Sequence, residues 1–131
     1  MILLFNLQDH PSRETLEGVF RLKKAEFRHV PAEEFTLPLS QLALPSVLRR
    51  SNPLFYAPET PAFSDPMIVF AGLSNETVSE LIDLLNRSGA PRIPLKAVLT
   101  PTSRDWTPVY LHEHLKAEHE AYETWKKQQK R

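Results

Sequence analysis

The chain has 131 residues, with 16 basic and 16 acidic side chains, a formal net charge of zero, and no cysteine. The length fits one domain, large enough to bury a core without a metal or a disulfide. The missing cysteine excludes disulfides, thiolate chemistry and cysteine-ligated zinc, and the neutral balance disfavours a nucleic-acid binder, which needs basic excess against phosphate.

Ile2 to Leu7 is apolar on both faces and predicts a central strand. It has no basic stretch before it and no small-residue cleavage site after it, so a strand is expected there and not a signal peptide. No apolar run reaches the length of a membrane span, and a cytoplasmic location is the expectation. Ser12 is placed to cap a helix running to about Lys24, with Leu16, Val19, Phe20 and Leu22 as its apolar positions. Ala25 to Val30 alternates as a half-exposed edge strand does. Thr36 is placed to cap a short helix over 37–44, with Pro38 tolerated in its first turn.

Residues 45–66 are rich in proline and follow neither period, which predicts an irregular connection. Leu54, Phe55, Tyr56 and Phe63 are too apolar for a free linker, so part of this stretch should pack on the body.

Met67 to Ala71 predicts a second central strand. Gly72 turns the chain, Ser74 caps a helix to Ser88 with Val78, Leu81, Ile82 and Leu85 inward, and Gly89 ends it. Leu95 to Leu99 is the fourth strand, with Lys96 and Val98 opposite to Leu95, Ala97 and Leu99. Thr107 before Pro108 is a strong helix start. The last helix carries an apolar seam of Leu111, Leu115, Tyr122 and Trp125, interrupted by Glu118. Such a seam should pack on the sheet first and then meet a partner subunit or fray.

The halves echo each other as βαβα twice, about 1–44 and 67–125, within one domain. LFNL (4–7) parallels VFAGL (69–73), and ETLEGVF (14–20) parallels ETVSELI (76–82). The expected class is α+β: a duplicated βαβα ferredoxin-like sandwich with an extra C-terminal helix. Strands one and three would be central, and helices two and four or a partner subunit would cover the second sheet face. A small doubly wound parallel sheet is the alternative.

The chemistry-bearing stretch is RIPLKAVLTPTSRDWT, 92–107. Lys96, Thr100, Thr102, Arg104 and Trp106 are the candidate ligand-binding residues, between a strand end and a helix start where backbone N–H groups favour an anion. The structural alternative uses the same residues for turns, caps and packing. HEHLKAEHE (112–120) lacks the HExxH pattern and reads as a solvated helix with charge pairs; no metal and no cofactor is expected. The basic end KKQQKR suits the helix dipole and solubility.

The run PLKAVLTPTSRDWT, followed by EHLKAEHE, resembles the signature of a bacterial family, domain of unknown function 3783. Its members carry a similar Pro-Leu-Lys-Ala-Val-Leu-Thr-Pro-Thr run, then Trp-Thr and a helix ending in Glu-His. The resemblance spans about Met67 to Glu120, with Ser103 where asparagine is usual. It implies a bacterial cytoplasmic protein and supplies no catalytic residues. The leading expectation is a non-enzymatic module that binds a small anionic ligand or a partner through the loop from Thr100 to Trp106, with a homodimer through the sheet face or last helix. Its rivals are an enzyme using Asn6, Asp9, His10, Lys96, Thr100 and Thr102, and a purely structural interaction domain.

Overall fold

A computed structural model describes residues 1–35, 37–44 and 63–129. The order is β1 (Ile2–Phe5), α1 (Arg13–Leu22), β2 (Phe27–Val30), α2 (Leu39–Leu42), β3 (Met67–Phe70), α3 (Asn75–Arg87), β4 (Leu95–Val98) and α4 (Pro108–Gln129). The class is α+β with a C-terminal helix, and the element order is βαβα twice.

The sheet order is β2-β1-β3-β4. β1 and β3 are fully buried central strands because both their faces are apolar. They pair antiparallel, Ile2 opposite Phe70 and Phe5 opposite Met67. This antiparallel pair rules out the doubly wound parallel alternative. β2 pairs parallel with β1, and β4 parallel with β3. Two unsplit βαβ units therefore meet at the centre. The ferredoxin-like arrangement instead splits each βαβ with an intervening strand. Here each connecting helix returns its second strand directly beside the first.

Both sheet faces are covered. Ile2, Leu4, Ile68 and Phe70 meet Leu16 and Phe20 of α1 and Val78 and Leu81 of α3. Leu3, Phe5, Met67 and Val69 meet Phe35, Leu39 and Leu42 around α2 and Leu111 of α4. Helices two and four fill the role expected of them on the second face.

Several local expectations change. Ser12 precedes α1 but does not cap it with its side chain, because its own backbone is helical; its hydroxyl donates to the Pro91 carbonyl at 2.6 Å. α1 ends at Leu22, which is 71% exposed and lies well off the stripe of Leu16 and Phe20 at helical spacing. Thr36 lies outside the described residues. The short α2 is instead preceded by Pro38, and its Leu39 and Ser40 N–H groups donate to the Trp106 and Arg104 carbonyls. Residues 45–62 also lie outside the described residues, but Phe63 packs as expected, stacked on Phe35 at 4.8 Å.

Other expectations hold. The Ser74 hydroxyl accepts from Thr77 N–H, and Gly89 closes α3 at φ +76°. The Thr107 hydroxyl accepts from Tyr110 N–H at the start of α4.

Candidate functional site

Crevices in α/β sheets form beyond the carboxyl ends of parallel strands. Because β1 and β3 run antiparallel, the two parallel pairs open at opposite ends of the sheet. The β1–β2 pair opens on a groove of about 430 Å³ lined by Asn6, Gln8, Asp9, His29 and Glu33. The β3–β4 pair opens on one of about 410 Å³ lined by Ser40, Gly72, Leu99, Thr100 and Arg104. Asn6 and Gly72 leave their strands with positive φ, 59° and 70°.

This topology disperses the sequence candidates. Thr100 and Arg104 share the second groove. Lys96 lies opposite Ile68 on the α1–α3 face, in a small cleft with Ser12, Leu85 and Arg92. Its ammonium donates to the Ile93 carbonyl, and burial, then the nearby Arg92, lowers its pKa. Trp106 packs on the other face, edge-on to Tyr110 at 4.7 Å. Thr102 is exposed in the turn. Asn6, Asp9 and His10 stand at the far end of the sheet from Thr100.

The hydroxyls of the motif are largely occupied. Thr100 N–H donates to Ser103 Oγ at 3.0 Å, and Ser103 N–H donates back to Thr100 Oγ1 at 3.2 Å. That reciprocal pair is the logic of a capping box applied to a turn. The following carbonyls hold the start of α2, so the motif's backbone ties β4, α2 and α4 together.

Two polar arrangements were not legible. The first is a latch. His112 of α4 is buried; its Nε2 lies 2.8 Å from Asp65 Oδ2 and its ring stacks on Phe63 at 4.2 Å. Asn6 donates from Nδ2 to the carbonyls of Phe63 and Asp65. This corrects the reading of 112–120 as wholly solvated: His112 faces the sheet one residue after Leu111, whereas His114 and Glu118 do form an exposed pair at 3.4 Å. Asp65 and His112 are 47 positions apart, so no local spacing could announce them. The nitrogen bonded to Asp65 is not free for a substrate. His112→Ala should cost about 2–3 kcal/mol in urea unfolding, since it removes both the stack and a charge-assisted bond. Asp65→Ala should cost less, because Asp65 is half exposed. Equal losses would contradict the stack as the main contribution.

The second is Glu17, buried on α1, with Arg13 at 3.2 Å, Arg21 at 3.9 Å and His29 Nε2 at 3.8 Å. Among the described residues, neither of the buried ring nitrogens of His29 has a hydrogen-bond partner. Burial lowers the His29 pKa, outweighing the opposing pull of Glu17. The unfolded chain therefore takes up this proton first. The stability that neutral His29 provides is complete above about pH 6.5 and falls as pH drops below it towards the folded pKa. Denaturation midpoints at pH 8 and pH 5.5 should differ more for the natural chain than for His29→Phe. Equal pH dependence would contradict this.

Among the described residues, no three His, Asp or Glu side chains converge as a metal site. No described helix is long and apolar enough to cross a membrane.

α4 differs from the rest. Its 22 residues extend about 33 Å. Pro108, Leu111 and His112 are buried, and Val109 and Leu115 pack against the sheet. Beyond Leu115 no described residue is buried. Tyr122 and Trp125 are 55% and 53% exposed, 5.9 Å apart.

Residues 66–122 match the family described as Domain of unknown function (DUF3783). The matched segment takes in β3, α3, β4 and α4 as far as Tyr122. No curated protein and no solved structure matches the chain.

Proposed function

We propose that this chain, whose residues 66–122 carry a domain of that family, is a non-enzymatic binding module that engages a protein partner through the outer half of α4. The observation that carries the reading is the exposed Tyr122 and Trp125 on the stripe continued from Leu111 and Leu115. A few helical turns without packing are marginal in water, so an apolar stripe maintained past the body gains its use from a partner. Dispersal of the polar candidates supports binding over catalysis: a general base needs a held partner within reach of the reacting group. Lys96, Thr100 and Asp9 line three different concavities.

A small anionic ligand is the second reading. What favours it is the placing of Thr100 and Arg104 together in the groove beyond β3 and β4. Lys96, Thr102 and Trp106 would not share that site.

Native mass spectrometry of untagged protein separates the two. The partner reading expects chains free of any small-molecule adduct, and an assembly of copies, where one forms, is dissociated by Tyr122→Ala with Trp125→Ala. A monomer carrying a stoichiometric small-molecule adduct would overturn it.

A further inference from the structure

The seam on α4 has a stricter pattern than its apolar members show. Leu111, Leu115, Glu118, Tyr122, Trp125 and Gln129 follow one another at alternating steps of four and three. That is the a/d spacing of a coiled coil, which holds one face toward a partner helix. The first two positions are spent on the sheet, and the remaining four lie beyond it.

Beyond Lys116, charge along the outer half runs from acidic to basic. Glu118, Glu120 and Glu123 precede Lys126 and Lys127. A parallel pair of such helices would set Glu118 against Glu118 in the seam, and like charges facing each other are destabilising. An antiparallel pair reverses this. With Tyr122 facing Trp125 of the second copy, two aromatic layers form at the centre. Glu118 then faces Gln129 of the second copy, with that copy's Lys126 one turn away. The glutamate that interrupts the apolar seam thereby gains a cation and an amide. Zero net charge leaves no long-range repulsion between copies.

We infer that the partner is a second copy of this chain, held by antiparallel pairing of the outer halves of α4. This rests on the reading of that helix as the binding surface. The contact is small, so the dimer is a weak one, micromolar or weaker.

Charge exchange tests it. Glu118→Lys alone and Lys126→Glu alone should each weaken self-association about tenfold by sedimentation, since each juxtaposes like charges. The double variant should restore it. Within one helix the two positions are too far apart to compensate each other, so rescue reports a contact between copies. Because the chain has no cysteine, spin labels can be placed singly. Labels at Thr124→Cys should lie within about 20 Å of each other, and labels at Glu113→Cys about 30 Å apart or more. Short distances at both sites would mean parallel pairing and overturn the proposal, as would a dimer indifferent to Trp125→Ala. A chain that remains monomeric to about 1 mM, near the weakest specific affinities, also overturns it. That last result leaves a different protein as the occupant, whereas the adduct-bearing monomer described above would sink the partner reading itself.

Discussion

Phe5→Ala is expected to lower the free energy of unfolding by about 3–5 kcal/mol. Phe5 ends the central strand β1 and is fully buried. Its ring meets Phe35 edge-on at 5.5 Å and Phe63 at 6.0 Å, and Phe63 in turn stacks on His112. The cluster joins β1, the turn before α2, the chain leading into β3, and α4. Truncation removes apolar burial and leaves a cavity whose walls belong to four separate segments, so collapse is limited. Domains of this kind hold about 5–15 kcal/mol in all, so the variant should be close to unfolding at elevated temperature. Phe5→Leu should lose roughly half as much, because most of the volume is kept. Chemical denaturation gives both values. A loss below about 1 kcal/mol for the alanine variant would mean that the cluster is not closely packed.

Trp125→Ala should do the opposite: leave the fold alone and remove the assembly. Trp125 is half exposed and touches Tyr122 on its own helix. Exposed substitutions of this kind shift stability by no more than about 0.5 kcal/mol. Tryptophan at the centre of a small interface is commonly a hot spot, worth about 2 kcal/mol or more, which is roughly a thirtyfold weaker association. Sedimentation velocity and urea unfolding on one sample measure the two quantities together. A large loss of unfolding free energy with unchanged association would show that Trp125 packs on its own chain.

These variants also separate what was legible in the sequence from what was not. The central place of β1 and β3 was legible because runs such as Ile2–Phe5 and Met67–Phe70 leave no face for water. The caps at Ser74, Gly89 and Thr107 were legible because each acts within a few residues of itself. Strand order was not. Apolar β1 and β3 demand only that they lie inside the sheet, and several topologies satisfy that. Whether β2 returns beside β1 or across β3 depends on how α1 packs, and its stripe reads the same either way.

The candidate site forms one cluster in the sequence because Lys96 to Trp106 is one stretch of chain. Strand alternation sent Lys96 to the α1–α3 face, and the turn at Thr100–Ser103 carried Trp106 to the other. Burial of Glu17 had a faint local signal, since it lies between Leu16 and Phe20 on the inward side of α1. Its meeting with His29 depended on the parallel register of β1 and β2. The seam of α4 was visible from the start, but where the body would stop covering it was not. That depended on how far the sheet reaches along the helix.

Hydrogen exchange of residues 116–129, followed as a function of protein concentration, tests the pairing of α4 between copies most directly. Helical turns without a partner open with little free energy, so their amides exchange quickly, while paired turns are protected. Antiparallel pairing predicts fast exchange in dilute solution and progressive protection as concentration rises, with residues 109–115 unchanged. Exchange that is fast at every concentration, or already slow when dilute, would contradict it.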